Sequence, residues 1–262
     1  MIILNVDLDN TIIYSYKHDI GVKKIGVELY HDREISYITE KTYALLKELN
    51  KKMLIVPTST RTVEQYRRID LKAGAFRYAL VCNGGILLVD GKAEEKWYKE
   101  SLELIHESVP VLHKAWALLD TDPRRIFELR FIEGLFLFTK CNEPKIVVKE
   151  LREQLDSSLV DIFHNGAKVY VVPVHLSKGI AVERFRKYVN ADVVIAAGDS
   201  EFDISMLKTA DIGIAPFGFT QKYGIGFKVK EAGEQDLFSE YVLSCCKEIG
   251  NAAGSESFVI RS

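Results

Sequence analysis

Four groups of residues in this chain have types and spacing that suit one chemistry. The first is Asp7-Leu8-Asp9-Asn10-Thr11, two carboxylates and a hydroxyl. The second is Thr58-Ser59-Thr60-Arg61, a hydroxyl cluster ending in a cation. The third is Lys178, between Ser177 and Gly179, and the fourth runs Gly198-Asp199-Ser200-Glu201-Phe202-Asp203. Brought together, Asp7, Asp9, Asp199 and Asp203 would repel one another unless a cation sat among them. Oxygen ligands in a partly open site suit Mg²⁺, which keeps waters and accepts substrate oxygens. A carboxylate can then approach an anionic phosphate while hydroxyls, backbone N–H groups and a lysine hold the remaining phosphoryl oxygens. A second carboxylate kept protonated by its neighbour would supply an acid.

The elements around these groups must bring them together. Ile2–Val6 is an apolar run ending in a charge, as buried parallel strands do. Residues 53–56 and Val193–Ala197 are further apolar runs, and each is followed by one of the groups. Lys178 opens a helix over 178–188 that Ser177 can cap. Ligands of open parallel sheets bind at the carboxyl ends of the strands. Taken singly, each group has an ordinary explanation as a cap or a turn. Four in this order, three directly after strands, favour a site.

The remaining pattern sets the architecture. Residues 12–33 read as loop-rich, 39–49 as a helix, and 79–82 as a third parallel strand. Thr62 and Gln65 have capping-box spacing. After Asn83 the grammar changes. Ile86–Val89 leads into a hairpin at Asp90-Gly91, and 100–119 reads as one helix. Hairpins follow around Glu133-Gly134 and Asn165-Gly166, separated by a helix over 144–155. Residues 99–139 and 143–172 thus each read helix–strand–strand. Beyond Pro173 the parallel grammar returns, with Ile212–Ala215 as a strand, 203–208 and 239–249 as helices, and the last dozen residues as a loose tail. The expected fold is α/β, a doubly wound parallel-sheet (Rossmannoid) core over 1–84 and 176–262. An α+β domain is inserted at 85–175.

Composition sets the class. The 262 residues carry 35 Lys plus Arg and 37 Asp plus Glu, a net charge of −2, with 47% hydrophobic residues. That composition excludes a disordered chain, a collagen or a coiled coil. The near-neutral charge argues against a nucleic-acid binder. Four scattered cysteines form no disulfide scaffold and imply a reducing compartment. The N-terminus lacks the features of a signal peptide, and no run is long enough to cross a membrane. The expectation is a cytoplasmic protein with no nucleic-acid or membrane partner. No G-x-G-x-x-G follows the first strand, which disfavours dinucleotide binding. The six histidines sit in unrelated contexts, none directly after a core strand.

The motifs resemble those of the haloacid dehalogenase superfamily of phosphatases and phosphotransferases. Asp7-Leu8-Asp9-Asn10-Thr11 matches D-x-D-x-T, Ser59 stands at the second-motif hydroxyl, and Lys178 matches the third motif. Gly198-Asp199 through Asp203 matches G-D-x-x-x-D. The insert, preceded by Asn83-Gly84, resembles the α/β cap of the Cof-type and sucrose-phosphatase-like branch. The resemblance covers about residues 1–245. It implies that Asp7 attacks phosphorus and that Asp9 protonates the leaving oxygen, then activates water. It implies Mg²⁺ bound by Asp7, the backbone carbonyl of Asp9 and Asp199, with Asp203 in support. Ser59 and Lys178 would hold phosphoryl oxygens, with Thr60, Arg61 and Asn83 beside the substrate. Two departures stand out: Phe202 where the branch has Asn, and Thr60 where it has Gly.

The implied function is Mg²⁺-dependent hydrolysis of a phosphate monoester of a small metabolite, such as a sugar phosphate. Alternatives are a phosphotransferase or mutase of the same superfamily and a non-catalytic phosphate-binding module. Arg124, Arg125, Arg130, Lys140, Lys168, Trp97, Trp116 and His164 are the cap residues available to select a leaving group. The sequence does not indicate an oligomeric state.

Overall fold

A computed structural model of the chain describes residues 1–253. The chain forms two compact units, Met1–Lys92 together with the segment from Lys178 onward, and Ala93–Ser177.

The first unit is an α/β fold around a five-stranded sheet. Across it run Lys230–Glu231, Ile212–Ala215, Val193–Ala197, Ile2–Val6 and Leu54–Pro57, all parallel. All but the edge strand Lys230–Glu231 are short apolar runs, because both faces of the sheet are covered there. One face packs Leu4, Val6, Ile55, Ile195 and Ile214 against Leu46 and Leu49 of helix Glu40–Leu49 and against Val242, Leu243 and Cys246 of helix Phe238–Ala253. The alternate residues Ile3, Val56 and Val194 are buried on the other face, as are Val182, Phe185, Met206 and Leu207 of helices Lys178–Val189 and Ile204–Thr209. Ile2–Val6 pairs on one side with Leu54–Pro57, which follows it in the chain, and on the other with Val193–Ala197. The strand order therefore reverses at Ile2–Val6, and its carboxyl end is the switch point where such sheets bind ligands.

Several expectations need correction here. The stretch 12–33 is not loop-rich: Lys24–Tyr30 and Arg33–Thr39 form a hairpin, with Tyr14–Ser15 as a third strand. Its two-residue turn, His31-Asp32, holds both residues at positive φ (48° and 58°). Such turns favour Asn-Gly, so the sequence did not announce it. The third strand, Tyr78–Val81, meets Leu54–Pro57 through a single parallel bridge, Thr58 to Leu80. Its full ladder is antiparallel, with Ile86–Val89. The C-terminal helix runs to Ala253, so it includes three residues expected in a loose tail. The rest of that tail, 254–262, lies outside the described residues.

The second unit is a four-stranded antiparallel sheet with helices on one face. The strands order as Val160–Asn165, Lys168–Pro173, Phe136–Lys140 and Arg130–Ile132. Leu137, Val160, Ile162, Val169 and Val171 pack on Leu112, Ala115, Leu119, Val147, Val148 and Leu151. The expected helix over 100–119 is two helices, Glu95–Leu104 and Val109–Asp120, joined by a 3₁₀ turn at His106–Ser108. Pro110 explains the break, because a continuous helix would lose its N–H bond and push its ring into the carbonyl of His106. On the opposite sheet face Arg130, Phe138, Tyr170 and Phe163 lie opposite one another in register across all four strands. Phe138 and Phe163 both contact the Tyr170 ring, with centroids 5.2 and 5.6 Å away.

Candidate active site

Asp7 directly follows the first strand, and its N–H still donates to the Ala197 carbonyl at 2.9 Å. The ladder thus fixes its backbone at the switch point. Its side chain is buried, and Lys178 Nζ donates to Oδ1 at 2.5 Å. The same ammonium donates to Asp203 Oδ1 at 2.6 Å. Lys178 and Asp203 are themselves 1% and 0% exposed. One cation is thus sealed between two carboxylates.

Asp203 has a second task. Its Oδ2 accepts the N–H groups of Asp199 (3.1 Å) and Ser200 (2.9 Å) and the Ser200 hydroxyl (2.7 Å), closing a capping box. That pins the loop carrying Asp199, whose Oδ1 also accepts the Thr11 hydroxyl at 3.4 Å. Gly198 is required there, since a Cβ would lie 2.3 Å from Asp203 Cγ. Gly179 is required for a similar reason, 2.5 Å from the Ser205 carbonyl. Phe202 is half-buried in this loop.

Ligand oxygens of Asp7, Asp199 and Asp203 all lie within 4.8 Å of one another. Burial, then the neighbouring Asp203, pushes the Asp199 carboxyl up to about 7. Burial likewise raises Asp7, opposed by Lys178. Burial alone would lower Lys178, but Asp203 and Asp7 hold it above its ordinary value. One ammonium does not compensate three clustered carboxylates. The set is all-oxygen and short of positive charge, which fits a hard divalent cation such as Mg²⁺. Asp7 and Asp199 have oxygens suited to hold it. Asp203 spends its own on Lys178 and the Asp199 loop.

The second group sits beside the first. Thr58 N–H donates to the Val6 carbonyl at 2.8 Å, extending the ladder, and Ser59 is buried. Ser59 Oγ accepts the Arg61 N–H at 3.2 Å. Thr60 is half-buried. Asn83 is buried and donates its N–H to the Ser59 carbonyl at 3.0 Å. Cys82, Asn83 and Gly84 all take positive φ (53°, 59° and 85°), which turns the chain back toward the strand end.

Arg61 is placed differently from a free substrate binder. Its Nε and Nη2 donate to Asp9 Oδ2 and Oδ1 at 2.8 and 2.7 Å. Its Nη1 and Nη2 donate to Glu28 Oε1 and Oε2 at 2.7 and 3.0 Å. Glu28, on the hairpin the sequence did not announce, joins this candidate site through Arg61. Burial alone would raise its carboxyl, but hydrogen bonds from Arg61 and Ser36 hold it below the usual range.

In the second unit the cap candidates separate. Trp97 is buried, and Trp116 packs against the helix–sheet core. Arg124 is paired with Asp122 and Glu150, Arg125 with Asp120, and Arg130 with Glu128. Lys140 lies over the Phe127 ring, 4.8 Å from its centroid.

The carboxylates gathered around buried Lys178 at the switch point are the candidate active site. The family model of the haloacid dehalogenase-like hydrolases matches residues 118–216. A phosphoglycolate phosphatase from Methanopyrus kandleri is 27% identical over 188 residues, 69% of this chain and 77% of that protein. Another from Sulfurisphaera tokodaii is 29% identical over 141 residues, 52% of this chain and 54% of that protein. The sucrose-phosphatase of Synechocystis, solved with sucrose and phosphate, shares the fold with a TM-score of 0.66 at 15% identity, over 94% of this chain and 97% of that one. A haloalkanoate-superfamily phosphatase from Bacteroides thetaiotaomicron aligns with a TM-score of 0.56 at 17% identity, over 94% of each chain. The chain is thus similar to haloacid dehalogenase-like hydrolases over residues 118–216, and to proteins named as phosphatases over a larger share of its length. Among the described residues no helix is long and apolar enough to cross a membrane.

Proposed function

We propose that this chain is a phosphatase that hydrolyses the phosphate monoester of a small metabolite through an aspartyl-phosphate at Asp7, with Mg²⁺ as cofactor. The observation that carries the reading is the placement of Lys178 between Asp7 and Asp203, with Asp199 beside them. Asp7 is the carboxylate whose backbone the sheet fixes. Its Oδ attacks phosphorus while the ester P–O bond breaks and Asp9 gives its proton to the departing oxygen. Water then attacks the same phosphorus, Asp9 takes its proton, and the bond to Asp7 breaks to release phosphate. Splitting one displacement into two is the general advantage of a covalent intermediate. Lys178, Ser59 and the N–H groups of the strand-end loops hold the phosphoryl oxygens. Mg²⁺, held by Asp7, the Asp9 carbonyl and Asp199, would neutralise charge on the phosphoryl group.

The relatives named phosphoglycolate phosphatase support a small anionic phosphate ester as the substrate. A sugar phosphate is the second candidate within that class. The aromatic row Phe138–Tyr170–Phe163 and the cations Lys140 and Lys168 give the inserted unit, which we assign as the cap, groups suited to a ring and an anion.

The test is phosphate release by the purified protein from phosphoglycolate, hexose phosphates, nucleotides and 4-nitrophenyl phosphate. We expect release with Mg²⁺ and at least about a hundredfold loss with a chelator, the scale of removing several kcal/mol of charge stabilisation. Release of free phosphate distinguishes hydrolysis from mutase chemistry, which leaves an isomerised ester. Release that is indifferent to the chelator would remove the metal from the mechanism.

A further inference from the structure

We propose that Glu28 is a positioning residue for Asp9 and acts through Arg61. The inference rests on the reading of Asp9 as the proton donor to the leaving group. Asp9 sits on a loop, and its side chain is 51% exposed, so burial does not select its orientation. The Arg61 fork selects it, with two donors on the two carboxylate oxygens. Such bidentate pairs fix geometry as well as charge.

A long guanidinium side chain can orient another group only if it is held itself. Arg61 is held at both ends. Its backbone N–H is taken by Ser59 Oγ, and its carbonyl accepts the Cys82 N–H at 2.8 Å. Its head is gripped by both oxygens of Glu28, whose side chain is 0% exposed. Glu28 is in turn fixed by the Ser36 hydroxyl at 2.6 Å and by Arg68 at 3.4 Å. The hairpin register shifts on both sides of Glu28. Such irregularities re-aim a side chain. Residue 28 also bridges to Ile69, and the Val27 carbonyl accepts the Asp70 N–H at 2.8 Å, so this part of the hairpin is tied down.

The chain of contact is therefore continuous: a tied strand, a buried carboxylate, a doubly gripped guanidinium, then the exposed carboxylate of Asp9. Four guanidinium bonds are already committed to the two carboxylates. As placed, Arg61 serves Asp9 rather than a phosphoryl oxygen. Without Glu28 the guanidinium loses its anchor and its whole charge falls on Asp9, which is then held as an ion pair and is not presented to the leaving oxygen as an acid.

The test exploits the fact that only a basic leaving group needs a proton. Phenyl phosphate releases a phenol about as basic as a tyrosine side chain, with a pKa of about 10. 4-Nitrophenyl phosphate has nearly the same shape and a much better leaving group. Release in the first turnover is measured by rapid quench for both esters, on the full chain with Mg²⁺. Glu28→Gln is expected to slow phenol release about tenfold or more, a fraction of the usual general-acid factor, and 4-nitrophenolate release less than about threefold. Ser36→Ala, which removes one hydrogen bond to Glu28, should show the same selectivity at smaller amplitude and serves if Glu28→Gln does not fold. Equal slowing of both esters, or slowing of neither, overturns the proposal. If the parent protein releases neither phenol, the phosphatase mechanism fails and takes this inference with it.

Discussion

Replacing Asp7 by asparagine should lower turnover at least about ten-thousandfold, the scale seen when a nucleophile that acts with its neighbours is removed. The amide has nearly the same volume but no anionic oxygen to bond to phosphorus. The fold should survive, because the Asp7 N–H bond to Ala197 is a backbone contact. Burial and the carboxylates of Asp203, Asp199 and Asp9 all push the Asp7 carboxyl up. An uncharged side chain removes that repulsion, so the unfolding midpoint should not fall by more than the loss of one charge-assisted bond from Lys178. Steady-state kinetics on 4-nitrophenyl phosphate and thermal unfolding check the two halves. Near-parental turnover by the variant would remove Asp7 from its role.

Lys178→Met should cost stability as well as activity. The ammonium is 1% exposed and bonded to two carboxylates at 2.5 and 2.6 Å. Removing one partner of a buried ionic set leaves uncompensated charge, a cost of about 3–5 kcal/mol. For a chain of this size that lowers the unfolding midpoint by about 6–20 °C. The deficit should depend on pH. A carboxylate whose folded pKa is raised is favoured while protonated, and it loses that contribution as pH rises through the folded value. Asp199 already sits at about 7. Without the lysine, Asp7 and Asp199 rise further, so the variant should recover part of its deficit at pH 5 and show it in full at pH 8. Mg²⁺ at pH 8 should raise the midpoint of the variant. A midpoint equal to the parent's at both pH values would contradict the electrostatic account.

The strand-end residues were legible because the candidate groups directly follow the apolar runs in the sequence. Ile2–Val6 ends at Asp7, and Val193–Ala197 ends at Gly198-Asp199, so finding the apolar run locates the carboxylate. Thr62 and Gln65 close the capping box that their spacing announced. Glu28 was not legible. Its strand is irregular in register, and its turn is His31-Asp32 with both residues in the left-handed region, so neither alternation nor turn chemistry marked a hairpin. Arg61 was found as a residue but not as a partner of Asp9, because its contacts depend on that hairpin. The helix break at Pro110 was visible in principle, since proline in a helix interior is its own signal. The antiparallel partner of Tyr78–Val81 was not, because short apolar runs carry no direction.

The central claim is a covalent phosphate on Asp7. The direct measurement mixes the protein with 4-nitrophenyl phosphate and Mg²⁺, quenches in acid during turnover, and reduces with borohydride. An aspartyl-phosphate is reduced by hydride to homoserine with loss of phosphate, and peptide mass spectrometry reads the position. The account predicts homoserine at residue 7, and none there in Asp7→Asn. Homoserine at another aspartate, or none anywhere while phosphate is being released, would contradict it.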